Sequence, residues 1–182
     1  MKSPNLKSKR LILREWTIKD APVFVELTKD KKLIFGDMPF PYLLEHAKYW
    51  IKTVKTLKDK YYFAVVEKKS NQIIGFCWIT VYDNNEGLIV YGLGEQARGE
   101  GYGKETAKLM IDFAFKNLKL AKLKAETHAD NFESHKILIN CGFKVVKKAK
   151  KYQKNRFTGK LEDKWFWELE PNSKRNKLNT EV

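Results

Sequence analysis

The order of hydrophobic periods along this chain predicts a mixed α/β fold: one central, mostly antiparallel twisted sheet of about seven strands flanked by about four helices. Three observations carry that reading. β-rich runs at 61–67, 72–82 and 87–93 are separated only by short polar segments, which makes them an antiparallel meander. Helix-period segments stand on both sides of the meander, at 43–57 and 101–118. Strand-like runs then return after the second of these helices.

Each element follows from local chemistry. Leu11 and Leu13 alternate with Ile12, Arg14 and Trp16 as a first strand, and Thr17 caps a helix to about Lys29 with Pro22 in its first turn. A loop containing Gly36, Pro39 and Pro41 leads to a second helix, marked by Leu43, Ala47, Trp50, Ile51 and Val54. Ser70-Asn71 and Asp83 to Glu86 are the turns of the meander. Ala107, Met110, Ile111, Ala114, Phe115 and Leu118 then describe one face of a long amphipathic helix beginning near Gly101. Leu123, Ala125 and Thr127 form a fifth strand. Asn131 opens a helix to about Cys141 and Gly142 stops it; Phe143 to Val146 and Trp165 to Leu169 close the series.

A chain of 182 residues with 43% hydrophobic and 13% aromatic residues has material for one domain with a full core, which excludes disordered and collagen-like classes. The domain is expected over 8–170, with 171–182 a polar, aperiodic, disordered tail. The longest mostly apolar run, Ile73 to Tyr82, is half a membrane span. No secretory signal precedes it, so the expected address is cytoplasmic, in keeping with two unpaired cysteines, Cys77 and Cys141. The net charge is +14, yet of 36 basic residues only Arg10, Arg14, Arg98, Arg156 and Arg175 are arginines. That balance favours an anionic ligand and argues against dedicated nucleic-acid binding, for which arginine is the preferred fork.

The chemistry is concentrated in Leu93 to Lys104, between a strand and the long helix. Three alternate glycines, Gly99, Gly101 and Gly103, let successive backbone N–H groups approach an anion at the positive end of a helix dipole. Neither the Walker pattern nor G-x-G-x-x-G is met. A turn that merely reverses the chain is the plain alternative. Arg98 to Gly103 fits R/Q-x-x-G-x-G/A, and about thirty residues later come Asn131-x-x-Ser134 and Cys141-Gly142-Phe143.

With these residues the sequence resembles the GNAT superfamily of acetyl-CoA-dependent N-acetyltransferases, and in overall pattern its ribosomal-protein N-terminal acetyltransferase branch, which the opening Arg10-Leu11-Ile12-Leu13-Arg14 also matches. The resemblance implies a splayed strand pair holding the cofactor, with Tyr91 and Leu93 pairing with the pantetheine arm. The Arg98, Gly99, Gly101, Tyr102, Gly103 and Lys104 stretch would take the pyrophosphate, and Asn131 and Ser134 would lie near the sulfur. Many relatives carry a tyrosine four residues before the Gly-Phe pair as the acid; here Leu138 stands there, so Ser134 is the nearest candidate acid. Glu86 and Glu95 are the candidate bases. The expected partners are acetyl-CoA and an amine acceptor, a protein N-terminus or a small molecule, with no metal and no membrane; a homodimer is compatible with the resemblance. A catalytically weak CoA-binding regulatory module is the alternative, favoured by the missing tyrosine. His128, His135 and Cys141 do not match zinc spacings, and Trp165-Phe166-Trp167 reads as a strand that buries two of its three rings.

Overall fold

Leu11 and Leu13 are fully buried while Ile12 and Arg14, on the other face of the same strand, are half-buried. That period of two marks a strand with a layer on each side. The structure, a computed structural model, describes residues 3–34 and 38–171; Phe35, Gly36, Asp37 and the expected tail at 172–182 lie outside the described residues. The strands are β1 (Leu6–Lys7), β2 (Leu11–Arg14), β3 (Lys60–Glu67), β4 (Ile73–Val81), β5 (Glu86–Leu93), β6 (Lys122–His128), β7 (Lys144–Lys154) and β8 (Leu161–Leu169). They form one sheet in the order β1-β2-β3-β4-β5-β6-β8-β7, antiparallel throughout except between β5 and β6.

Successive residues of the central strands serve different cores. Phe63 and Val65 of β3 join Leu13, Ile79, Met110, Leu138 and Trp167 under α3 (Tyr102–Asp112) and α4 (Phe132–Asn140). Ala64 and Val66 join Trp16, Phe24, Ile51 and Phe76 under α1 (Ala21–Leu27) and α2 (Leu44–Val54). The entry to α1 is set by charge: both Thr17 N–H and its hydroxyl donate to Asp20 Oδ2 at 2.7 and 2.8 Å, and Arg14 clamps the same carboxylate at 2.7 and 2.9 Å. Four helices on a mixed sheet agree with the expected class. No helix among the described residues is long and apolar enough to cross a membrane.

The sheet has eight strands rather than about seven. β1 is two residues long and pairs Leu6 with Leu13, too short to leave a period in the sequence. β7 runs on to Lys154, although Lys147, Lys148, Lys150 and Lys151 interrupt the apolar pattern. It lies at the sheet's edge, where lysines keep an unpaired strand from recruiting another. The first helix ends at Leu27, and a separate 3₁₀ turn follows at Lys31–Leu33. α3 passes into a π turn, Phe113–Asn117, in which Phe113 packs on Tyr61 at 5.2 Å and Phe63 at 5.8 Å.

The functionally telling feature is the β5–β6 pair. It holds only for Glu86, Gly87 and Leu88 against Lys122, Leu123 and Lys124. Beyond that, β5 stays in register with β4 up to Leu93 and β6 stays with β8 up to His128. Each strand keeps its other neighbour, so the two part, and the β6-facing backbone groups from Ile89 to Leu93 have no strand to bond.

Candidate active site

The open end of this parting leads into the glycine turn. Gly99 and Gly101 have φ of +82° and +78°, left-handed values that glycine adopts without a Cβ penalty. A Cβ on Gly99 would meet nothing within 4 Å, so this backbone faces open space. Gly101 caps α3, and the N–H groups of Tyr102, Gly103 and Lys104 in its first turn have no acceptor within the helix. Gly103 has a different reason: a Cβ there would come 2.8 Å from Ile137 Cδ1 on α4, so it is a close helix contact. Lys104 is exposed.

Two side chains of the motif turn away from the cradle and hold it. Arg98 Nε donates to the Leu93 carbonyl at 3.1 Å, and its Nη2 pairs with Asp30. The Tyr102 hydroxyl donates to Glu67, while the Arg10 guanidinium stacks 4.4 Å over the Tyr102 ring. Arg10 also reaches the Glu100 carbonyl at 2.9 Å and Glu105 at 2.7 Å. The carboxylate of Glu105 further accepts from Ser8 Oγ at 2.6 Å and from Arg10 N–H at 2.9 Å. Arg10, Asp30 and Glu105 leave no local signal of this role in the sequence, because their contacts span 68 to 97 residues of chain.

The structure brings Tyr91, Leu93, Asn131 and Ser134 to the parted strands and to α4 beside them. Asn131 Oδ1 accepts the Ser134 N–H at 3.1 Å, so Asn131 is the helix cap and the Ser134 side chain is not. One turn on, Leu138 is 1% exposed and belongs to the core. Ser134, Leu138 and Cys141 share a helix face by spacing. Tyr91 Oη is buried without a hydrogen bond, and Ser134 faces it. Burial pushes the Tyr91 phenol far above its usual range, with Ser134 opposing and the Cys141 thiol adding to the shift. The Cys141 thiol is itself raised by burial, against the pull of Lys108 and Lys104.

Glu86 and Glu95 stand at opposite ends of β5. Glu86 is on the paired end, about 17 Å of strand from Tyr91 at roughly 3.4 Å per residue. Lys124 and Asn84 hydrogen-bond its carboxylate, and Lys122 lies 3.9 Å away; the first two, with the charge of both lysines, hold its pKa below the usual range. Glu95 is exposed in the 3₁₀ turn Glu95–Ala97 just past the open end.

The remaining suggestive residues are structural. His135 is buried, its Nε2 3.0 Å from Thr127 Oγ1 and 3.1 Å from the His128 carbonyl, and its ring stacks on Trp165 at 4.4 Å. Burial, opposed by that carbonyl, lowers its pKa. Trp167 is buried, Trp165 packs beside it against the same core, and Phe166 faces the other side of the sheet. Among the described residues no three His, Cys, Asp or Glu side chains cluster as metal ligands. On Phe166's side a groove of about 410 Å³ runs beside the parting, lined by Leu88, Lys124, Lys147, Tyr152 and Phe166 among others.

The family model of the acetyltransferase (GNAT) domain matches residues 10–144, a span that includes the whole cradle, the parted strands and α4. The chain belongs to the GNAT acetyltransferase family. It is an acetyl-CoA-dependent N-acetyltransferase. This GNAT chain is 26% identical over 170 residues to an uncharacterized N-acetyltransferase, p20, of Bacillus licheniformis, covering 90% of this chain and 94% of that one. In fold it is similar to a ribosomal-protein-S5-alanine acetyltransferase of Vibrio fischeri, with TM-score 0.82, 21% identity and coverage of 94% and 98%. It is also similar in fold to the spermidine N-acetyltransferase of Vibrio cholerae solved with CoA and spermine, with TM-score 0.79, 15% identity and coverage of 90% and 96%. The open cradle at Gly99 and the unpaired β5 backbone fit a ligand carrying a pyrophosphate and an extended amide arm.

Proposed function

We propose that this acetyltransferase acts on the α-amino group of a protein or peptide N-terminus. Acetyl-CoA supplies an activated acetyl thioester. In this reading the backbone of residues 99–104 takes the pyrophosphate, and Tyr91 and Leu93 pair with the amide arm. Arg98 and Tyr102 keep the turn in place, Lys104 adds charge, and Asn131 and Ser134 stand at the sulfur end. Backbone N–H groups of the parted strand polarise the acetyl carbonyl, and the Ser134 hydroxyl hydrogen-bonds the departing sulfur.

The observation that carries the acceptor class is the state of Glu86. Tied to two lysines at the closed end of the parting, it is a weakened and remote base, which leaves exposed Glu95 or water to take the proton. An α-amine with pKa about 8 is roughly a tenth neutral at pH 7, whereas a lysine amine near 10.4 is neutral in under one part in a thousand. A site with so little base assistance suits the α-amine. The groove supports this too. It opens on the side of the sheet away from α3 and α4, and its acids Glu126 and Glu168 are paired with Lys164 at 2.7 Å and Lys122 at 2.9 Å. That leaves little negative charge for a polyamine.

The test is a panel of peptides with free and blocked N-termini, polyamines and aminoglycosides, each incubated with acetyl-CoA and read by mass spectrometry. Acetylation of free N-termini with blocked peptides untouched is the expected result. Acetylation of polyamines or lysine side chains alone would overturn the acceptor class, and CoA binding with no acetylated product would favour the regulatory-module reading.

A further inference from the structure

On β5, at the parting, folding leaves the polar group of Tyr91 without a partner. Its hydroxyl is shut off from solvent and makes no hydrogen bond, although leaving a buried polar group unpaired is destabilising. Phenylalanine would fill the same space without that cost. Of the other such groups among the described residues, Trp16 Nε1 and Thr106 Oγ1 stand on neither parted strand, and His128 Nδ1, at the end of β6, lies 3.0 Å from Glu162 Oε2. Tyr91 lies on β5 beyond Leu88, where pairing with β6 has stopped.

What faces it narrows the role. Ser134 is on the adjoining face of α4, and because Asn131 caps that helix, the Ser134 hydroxyl has no structural duty there. One turn further Leu138 fills the core and offers no proton. A serine hydroxyl alone has a rotatable hydrogen and several acceptors to choose from. A second hydroxyl that donates to its oxygen removes that choice, and the chain of two polarises the outer O–H.

We propose that Tyr91 is a positioning residue for the sulfur end of the site: unpaired in the free protein, its O–H donates to Ser134 Oγ once the acetyl thioester is bound, leaving the Ser134 proton to point at the departing sulfur. The inference rests on the reading that Ser134 serves that sulfur. In the transfer the C–N bond forms, the C–S bond breaks and its electron pair stays on sulfur. The surplus proton on nitrogen leaves to water, and sulfur takes its proton from water. Both hydroxyls keep their protons throughout and act by stabilising charge as it develops.

Tyr91→Phe, Ser134→Ala and the double variant test this by steady-state kinetics, thermal melting and acetyl-CoA titration. Tyr91→Phe is expected to lower kcat about tenfold, leave the acetyl-CoA KM within about twofold, and leave Tm unchanged or higher, since it deletes an unpaired hydroxyl. Ser134→Ala is expected to lower kcat tenfold or more, and adding Tyr91→Phe to it should cost nothing further. A slow Ser134→Ala beside a Tyr91→Phe of full kcat would overturn the positioning role alone. Equal losses from Tyr91→Phe in both backgrounds would do the same, because Tyr91 would then act without Ser134. A Ser134→Ala of full kcat would overturn the underlying reading of the sulfur end.

Discussion

Arg10 meets Glu105 with its Nε 2.7 Å from Oε2 and its own backbone N–H 2.9 Å from Oε1, so that a residue entering β2 and a residue in the first turn of α3 share one carboxylate at two points. The same guanidinium covers the Tyr102 ring and donates to the Glu100 carbonyl at 2.9 Å. The shape of the glycine cradle therefore depends on a side chain from the far side of the sequence.

Arg10→Met should loosen the cradle. The guanidinium is partly exposed, so the loss of stability is expected to be modest, about 1–2 kcal/mol. CoA affinity should fall several-fold beyond what the melting temperature explains, because the turn is held from this side. Calorimetry with CoA and a thermal melt measure both; unchanged affinity would show that the turn keeps its shape unaided.

The glycines should separate by mechanism. Gly99→Val forces a left-handed backbone at a cost of about 1–2 kcal/mol and fills the open space proposed for the pyrophosphate, so the protein should fold and bind CoA poorly. Gly103→Val drives a side chain into Ile137 and should lower Tm as well as affinity. Melting and CoA titration of the two variants read the difference.

Acid should destabilise the fold, in part through Asp20 and Glu105. Burial would raise the Asp20 pKa, but Arg14 and the Thr17 N–H and hydroxyl outweigh it and leave it lowered. Glu105 follows the same logic, burial being outweighed by Ser8 and Arg10. Groups with depressed folded pKa values stabilise fully above their unfolded values, near 4, and lose that contribution as pH falls through the folded ones. Urea midpoints should therefore be flat down to about pH 5 and fall below pH 4. Asp20→Asn should flatten the fall while costing about 2–3 kcal/mol at neutral pH by leaving Arg14 without its partner.

Glu86→Gln and Glu95→Gln decide where the base is. Glu86→Gln releases Lys122 and Lys124 at the closed end of β5–β6 and should lower Tm with little change in kcat. On a peptide N-terminus both variants should keep a pH–rate profile that rises with the acceptor's own pKa near 8. A lost or displaced limb in Glu95→Gln would make Glu95 the base.

How much of this was legible in the sequence depends on how local its cause is. The meander, the cap at Asn131, the stop at Gly142 and the glycine turn before α3 each depend on residues within one or two turns of chain, and all stand where periodicity and spacing put them. The lysine-rich length of β7 was hidden because an edge strand needs no alternating apolar face, and β1 because two residues carry no period. The family was legible for a related reason: the residues that carry the resemblance, Arg98 to Gly103, Asn131 with Ser134 and Cys141 to Phe143, are short local runs.

Tertiary structure decided what the motif's side chains do. Arg98 and Tyr102 lie inside the signature, yet their charged and polar ends turn to Asp30 and Glu67, partners 68 and 35 residues away. Glu86 became a lysine-bound lock because parallel pairing with β6 sets Lys122 and Lys124 beside it. The resemblance named Tyr91 only for the backbone pairing of its strand with the cofactor arm, not for its hydroxyl. Only the parting of β5 from β6, with α4 packed alongside, leaves its hydroxyl buried and opposite Ser134. Sequence patterns record contacts that recur along the chain, whereas the energy of a buried polar group depends on which distant element closes over it.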